Sequence, residues 1–389
     1  LSSSSAASDV YKRQHLFFHG HRSHNGPSRR SVLALLAHGH GLDASQLLTP
    51  SARKSIDDAV CPSFQPAGPG GKFVADRALP GKGLDLMAKL QPASPLKPGD
   101  AVSCVASSSA LNGDGRLNEG IQILESWGLS VHPQALSERR WGYLAGNDQE
   151  RRADLEPKAQ TALLACARGG WGAARLLEEK IAWKPGWLLG FSDVTALLLA
   201  RLAAGFAGGV HGPLLTTLAA EPKWSQERLR RLLFGEAIPD LHGRATGGAQ
   251  ASGPLIVANL TVATHLLGST HFPNLHNAIL IFEDVGEAPY RIDRMLTQWR
   301  LCGALDEIAG LGFGQFEGCD DDATNDPDDQ APPRRFSLNQ VLDERTADLG
   351  IPRVFDLPVG HRCGNAALPL GAEAHLDGET GRLRVSSLN

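Results

Sequence analysis

Short apolar runs alternate with amphipathic segments along the chain beyond Pro98. Apolar runs with the length of buried strands lie at residues 101–106, 162–167, 187–189 and around residue 210. Helices are predicted between them at residues 117–127, 149–159, 173–180 and 194–200. Because strands that alternate with helices are typical of a parallel sheet, the pattern predicts an α/β fold. Its N-terminal part, residues 96–240, is predicted to be a Rossmann-like parallel-sheet domain.

A second α/β domain is predicted over residues 250–389. Its elements are a buried strand at 278–282, a helix at 290–301, a strand at 308–316 and a β-rich C-terminal part. The boundary between the two domains is placed near residues 235–248, which are rich in glycine, proline and charge.

The first 95 residues are predicted to be a non-native or disordered extension and linker. Residues 1–14 have no folding pattern and look like a translated sequencing adapter, and residues 62–97 are rich in proline and glycine. Arg29 and Arg30 precede an apolar run, as in a twin-arginine export signal. That run is shorter than the roughly 7–15 residues that a signal peptide needs. We therefore predict a cytoplasmic protein, with export as the alternative.

Composition narrows the classes of function. The net charge of −4 on 389 residues gives no electrostatic basis for binding nucleic acid or an anionic membrane. No apolar stretch approaches the ~20 residues that span a bilayer. The six cysteines include no CxxC pair, so we expect reduced, packed thiols and no metal site.

Ser192 stands where a predicted strand gives way to a predicted helix. A serine at such a tight turn has the geometry of a nucleophile elbow, with free helix N–H groups nearby for an oxyanion. The alternative is that Ser192 merely caps the helix, with Asp193 in its first turn. This segment taken alone favours the cap.

A glycine-rich loop, Arg168-Gly169-Gly170-Trp171-Gly172, follows the predicted strand at 162–167. Glycines let the backbone approach a ligand closely and adopt positive φ. Open α/β sheets bind ligands at the carboxyl ends of their strands, so the loop is a candidate part of a site. A tight turn packed on a neighbouring segment is the alternative.

Several motifs in a fixed order carry a resemblance to a known family. They are Arg168-Gly169-Gly170-Trp171-Gly172, Gly190-Phe191-Ser192-Asp193-Val194-Thr195, His211-Gly212-Pro213, Phe282-Glu283-Asp284-Val285-Gly286-Glu287, Pro289-Tyr290-Arg291, Gly360-His361 and Leu368-Pro369-Leu370-Gly371. From about Leu96 to its C-terminus the chain resembles the LD-carboxypeptidase family of serine peptidases. That family also contains the microcin C immunity peptidases.

The resemblance implies a catalytic triad of Ser192, Glu283 and His361. Ser192 is the expected nucleophile, Glu283 the orienting carboxylate and His361 the general base. The expected oxyanion donors are the N–H groups of Asp193 and Gly170, and the expected substrate-binding residues are Gly169, Trp171 and His211.

The residue pattern agrees with these roles. Glu283 follows the apolar strand at 278–282, and His361 lies in a loop, which suits a base that reaches another segment. A serine hydroxyl needs a base, and the base needs a carboxylate that fixes its tautomer. Glu287 is a rival for the acid role, but its spacing favours a pair with Arg291.

Two segments depart from the family pattern. Ala106 stands where a proline is usual, and Val257-Ala258 stand where two glycines are usual before Asn259. These departures bear on the shape of the substrate cleft.

By resemblance, the enzyme releases terminal D-alanine from an L,D bond in a murein-derived tetrapeptide. It is expected to need no cofactor and to form a homodimer. The alternatives are an immunity peptidase acting on peptidyl-sulfamoyl nucleotides and a non-catalytic binding protein.

Overall fold

The computed structural model describes residues 90–132, 134–156, 160–320 and 336–386. The predicted extension up to residue 89, with its twin-arginine segment, lies outside the described residues. The strands of the described part are β1 Ala101–Val105, β2 Ser130–His132, β3 Leu163–Cys166, β4 Trp187–Gly190, β5 Gly209–His211, β6 Leu241–His242, β7 Arg244–Ala245, β8 Gln250–Asn259, β9 Ile279–Val285, β10 Gly310–Glu317, β11 Arg353–Phe355, β12 Leu368–Pro369, β13 Glu373–Asp377 and β14 Arg382–Val385. Its α-helices are α1 Gly115–Ser126, α2 Asp148–Ala153, α3 Thr195–Ala203, α4 Leu215–Leu218, α5 Lys223–Leu233, α6 Leu260–Leu266, α7 Pro289–Leu301 and α8 Leu338–Glu344.

The first sheet has the order β12-β5-β4-β3-β1-β2. Strands β1 to β5 run parallel, as predicted, and β12 joins the edge of β5 in the antiparallel sense. Residues of β4 are buried throughout, and α3 is buried along nearly its whole length. Both features follow from a parallel sheet covered on both faces, where strands are continuously apolar.

The second sheet has the order β6-β14-β13-β8-β9-β10-β11-β7. Its centre, β8 to β11, is parallel, whereas β13, β14 and β6 on one side and β7 on the other pair in the antiparallel sense. One hydrophobic cluster continues from α3 into this sheet through Leu197, Leu198, Ile256 and Phe282. The predicted α/β fold class, with a parallel first sheet and a β-rich C-terminal part, is confirmed.

Several predicted boundaries differ from the structure. The helix predicted at 149–159 ends at Ala153, and the helix predicted at 173–180 is a short 3-10 turn, Ala174–Glu178. The boundary segment near 235–248 contributes the edge strands β6 and β7 to the second sheet. The two-residue strand β12 belongs to the first sheet, although residues 250–389 were predicted as one domain.

The last residues of the predicted linker are part of the fold. The Gln91 N–H donates to the Gly205 carbonyl at 2.9 Å, and Ala93 is 4% exposed. The Trp187 indole donates to the Ser94 carbonyl at 2.8 Å. Residues 90–95 are therefore held by the first sheet and its neighbours, and the prediction of a disordered linker is wrong for them.

Candidate active site

Ser192 lies in a strained turn between β4 and α3. Its φ is 62°, a left-handed conformation that is uncommon for a residue with a side chain. A 3-10 turn, Ser192–Val194, leads into α3, and the N-cap residues of the turn and the helix are Phe191 and Val194. Ser192 is therefore not a helix cap. A strained serine between a strand and a helix has the geometry of a nucleophile elbow.

The glycine-rich loop after β3 packs directly on this turn. A Cβ atom placed on Gly169 would lie 3.0 Å from Ser192 Cβ and 3.1 Å from Ser192 Oγ. Gly170, with φ of 110°, faces the Ser109 side chain instead. The Trp171 N–H donates to Ser109 Oγ at 3.1 Å, which fixes the loop. The absence of a side chain at Gly169 thus leaves room for the Ser192 hydroxyl.

Glu283 and His361 form a hydrogen-bonded pair. Glu283 lies on β9, is fully buried, and its Oε2 is 2.7 Å from His361 Nδ1. Gly360, at φ of 137°, approaches the pair so closely that an added Cβ would lie 3.2 Å from Glu283 Oε2. A side chain at residue 360 would therefore disturb the pair.

Each member of this pair stabilises the charged form of the other. Burial opposes ionisation of Glu283, yet attraction to His361 and their hydrogen bond keep the pKa of this carboxyl below its usual range. Burial alone would lower the pKa of His361, but the adjacent Glu283 carboxylate raises it above the ordinary value. The geometry holds the Nδ1 proton of His361 toward the carboxylate.

Phe191 joins the serine turn to this pair. Its ring centroid lies 4.8 Å from that of His361 and 5.6 Å from that of His211. Since Phe191 directly precedes Ser192, the serine turn, which follows β4 of the first sheet, lies next to the Glu283–His361 pair of the second part of the chain. Glu287 lies apart from the pair and bonds Arg291 at 3.2 Å, which confirms the predicted Glu287–Arg291 pair.

Two residues predicted to bind substrate differ sharply in exposure. The Trp171 side chain is 65% exposed beside the glycine loop, so it is open to a ligand. His211 is 0% exposed and lies behind Phe191. Direct contact with substrate requires an accessible surface, which the His211 ring does not have here.

Asp193 and Arg151 hold the loops around Ser192. The Ala173 N–H donates to Asp193 Oδ2 at 2.9 Å, and burial raises the pKa of the Asp193 carboxyl. Arg151 is 0% exposed and donates to the carbonyls of Gly172, at 2.8 Å, and Ser107. The sequence placed Arg151 on a charged helix and gave no signal of its burial.

Asn259 and Asp284 form a second buried polar group beside Glu283. Asn259 pairs with Glu283 across β8 and β9, and its amide donates to Asp284 Oδ1 at 3.1 Å. Asp284 also accepts from the Thr261 N–H and hydroxyl. Burial and the Glu283 charge raise the pKa of Asp284 to about 6. Asn259 therefore fixes the strand end that carries Glu283, despite the departure at Val257-Ala258.

In the described ranges, no group of three or more His, Cys, Asp or Glu side chains is arranged to hold a metal ion. None of the helices in the same ranges has the length and apolarity needed to cross a bilayer.

Two models of one known protein family match this chain. Residues 102–212 match the model of the LD-carboxypeptidase N-terminal domain, and residues 252–376 match that of the C-terminal domain. Ser192 lies in the first match, and Glu283 and His361 lie in the second. The chain belongs to the LD-carboxypeptidase family, as the motifs indicated, and is a hydrolase.

Individual relatives match over most of their length. A candidate carboxypeptidase of Synechocystis sp. is 45% identical over 307 residues, covering 76% of this chain and 96% of the relative. The murein tetrapeptide carboxypeptidase of Pseudomonas aeruginosa is 33% identical, covering 73% of this chain and 94% of the relative. The structure of muramoyltetrapeptide carboxypeptidase from Oxalobacter formigenes superposes with a TM-score of 0.63 at 25% identity, covering 73% of this chain and 97% of that one.

The microcin C7 self-immunity protein MccF shares the fold. Its complex with aspartyl sulfamoyl adenosine superposes with a TM-score of 0.65 at 20% identity, covering 76% of this chain and 98% of that one.

Proposed function

We propose that this protein is a serine LD-carboxypeptidase that releases the terminal D-alanine of a murein-derived tetrapeptide. The scissile bond is the L,D bond between meso-diaminopimelate and D-alanine. One observation carries the proposal: the hydrogen-bonded pair of buried Glu283 and partly exposed His361 lies beside the strained turn of Ser192. The murein tetrapeptide carboxypeptidase of P. aeruginosa, 33% identical, supports the substrate class.

In the acylation step, Ser192 Oγ attacks the carbonyl carbon of diaminopimelate. Because Glu283 accepts from His361 Nδ1, the other ring nitrogen, Nε2, is left to take the Ser192 proton. Glu283 then stabilises the imidazolium that forms. His361 passes the proton to the departing amine, and D-alanine leaves with a free amino group.

In the second step, a water molecule attacks the acyl carbon and gives a proton to His361. The ester bond to Ser192 Oγ then breaks, His361 returns the proton to the serine oxygen, and the shortened peptide leaves with a free carboxylate. The N–H groups of Asp193 and Gly170 are the proposed donors to the oxyanion in both steps. The glycine loop brings backbone donors close to Ser192, since Gly169 lies against its hydroxyl. Trp171, exposed at the same loop, is the proposed contact for the peptide.

The test is a comparison of three substrates with the purified protein. Murein tetrapeptide is expected to release D-alanine, whereas the diastereomer ending in L-alanine is expected to be cleaved far more slowly. A peptidyl-sulfamoyl adenylate is expected to remain intact. Cleavage of the adenylate alone, or release of L-alanine at an equal rate, would contradict the proposed specificity.

We also propose that the chain has two domains. Residues 96–240 carry Ser192, and residues 250–389 carry Glu283 and His361.

We further propose that the protein is a cytoplasmic homodimer. The dimer rests on the family resemblance. Light scattering on the purified protein measures its mass directly, and a mass near 41 kDa rather than twice that value would contradict the dimer.

A further inference from the structure

His211 is a buried histidine whose ring nitrogens are both without a partner. Within the described residues, neither Nδ1 nor Nε2 has a hydrogen-bond partner, and the side chain is 0% exposed. It lies on β5 opposite Gly190 of β4, and its ring packs edge-on against Phe191. Buried polar groups in folded proteins are nearly always hydrogen-bonded, so this position calls for an explanation.

The second carboxylate oxygen of Glu283 also lacks a hydrogen-bond partner. Oε2 is bonded to His361, while the fully buried Oε1 has no partner in the described part of the chain. The Asn259 amide, opposite Glu283 on β8, donates to Asp284 Oδ1, and its interaction with Glu283 is the weakest of those that lower the pKa of that carboxyl. A carboxylate oxygen that is both buried and unpaired is costly, and more so when the carboxylate is ionised.

His211 is in the neutral protonation state, which leaves it one N–H that can serve as a donor toward this oxygen. Burial lowers its pKa to about 4, with the charges of Glu283 and His361 acting on it in opposite directions. It is therefore neutral over the pH range in which His361 titrates, and a neutral imidazole carries one N–H. The other charged groups acting on the pair are Asp284 and Glu317, which face His361.

We propose that His211 is a positioning residue for the Glu283–His361 pair. Its neutral ring donates to one ordered water, which in turn donates to Glu283 Oε1 and holds the carboxylate in place. A buried site with several unpartnered polar atoms is where proteins hold such waters. The role rests on the proposed function of the pair, and it differs from the substrate contact that the sequence suggested for His211.

Loss of this donor has a defined electrostatic consequence. When His361 is deprotonated, Glu283 carries the negative charge of the pair without compensation. Removing a donor to Glu283 destabilises that form more than the form in which His361 is protonated. The pKa of His361 therefore rises when the donor is lost.

The test compares two substitutions that separate packing from hydrogen bonding. His211→Phe keeps a ring of similar size but removes the donor, and His211→Gln keeps an uncharged N–H donor. His211→Met is the apolar replacement if the phenylalanine ring does not pack. His132→Phe, at an exposed histidine of β2, is the matched control.

The main readout is the pKa of His361, measured by NMR titration of the labelled imidazole rings. It requires no turnover, so it tests this role even if the proposed peptidase activity fails. The same variants are assayed for kcat and KM on murein tetrapeptide, with the wild type establishing the activity itself.

We expect His211→Phe to raise the His361 pKa and to lower kcat on the order of 10- to 100-fold, with KM unchanged, as expected for a lost hydrogen bond to a charged group. His211→Gln restores both values toward those of the wild type, and His132→Phe changes neither. Equal effects of phenylalanine and glutamine would reveal a packing role and overturn the proposal. An unchanged His361 pKa in His211→Phe, or a rise in KM alone, would overturn it as well.

Discussion

Replacing each of two nearby glutamates by its amide tests which carboxylate acts on His361. Glu283 is 0% exposed and bonds His361 Nδ1 at 2.7 Å, whereas the side chain of Glu287 is 23% exposed and bonds Arg291 at 3.2 Å. Glu283→Gln keeps the shape of the side chain but presents an amide to the histidine. The wrong tautomer is then favoured, and the imidazolium loses its counter-charge.

The expected losses of kcat in the two variants differ by several orders of magnitude. In the worked example of an Asp→Asn change in a chymotrypsin-like protease, kcat fell about 10⁴-fold, equivalent to about 5.4 kcal/mol of activation free energy. A partly exposed surface ion pair such as Glu287–Arg291 contributes on the order of 1 kcal/mol or less to stability, and its partners bond each other rather than His361. Glu283→Gln should therefore reduce kcat on the order of 10⁴-fold, and Glu287→Gln should stay within a few-fold of the wild type.

The assay is D-alanine release from murein tetrapeptide, with thermal unfolding measured in parallel. We expect both variants to keep a Tm within a few degrees of the wild type, so that the loss in Glu283→Gln reflects chemistry. If Glu287→Gln lost activity and Glu283→Gln kept it, the acid role would belong to Glu287. Equal retention by both would refute an orienting carboxylate altogether.

Three further outcomes are expected from the same structure. Glu283 raises the pKa of His361, and His361 acts as a base only when it is neutral, so kcat/KM should rise with pH through a midpoint above 6.5. The residual activity of Glu283→Gln should have a lower midpoint. A pH–rate profile of each protein measures these midpoints. Gly169→Ala places a Cβ 3.1 Å from Ser192 Oγ, so kcat should fall while Tm changes little; a normal kcat would show that the loop yields freely. Prolonged chelation should leave activity intact, since the proposed mechanism uses only side chains and water; loss on chelation with recovery on adding zinc would contradict it.

The local sequence pattern was sufficient to predict several strands and the candidate catalytic residues. Apolar runs marked β3 and β4, because strands buried on both faces cannot alternate in polarity. The order of motifs led to Ser192, Glu283 and His361, and the structure brings Glu283 and His361 within 2.7 Å. Fold class and family were both predictable for this reason.

Features that depend on distant partners were not predictable. Arg151 belongs by sequence to a charged helix, yet it is buried because carbonyls of two remote loops, at Ser107 and Gly172, accept its hydrogen bonds. Strand β12 has two residues and pairs with His211, more than 150 positions earlier, so no local periodicity reveals it. The burial of His211 follows from the same long-range packing.

The central claim is that Ser192 is the nucleophile of the peptidase, and Ser192→Ala tests it most directly. The measurement is the rate of D-alanine release from murein tetrapeptide by the variant and the wild type, each shown to be folded by its Tm. Because the serine acts in concert with its base, removing it should cost on the order of 10⁴-fold or more in kcat. We predict such a loss with an unchanged Tm, and a folded Ser192→Ala variant that releases D-alanine at a near-normal rate would contradict the account.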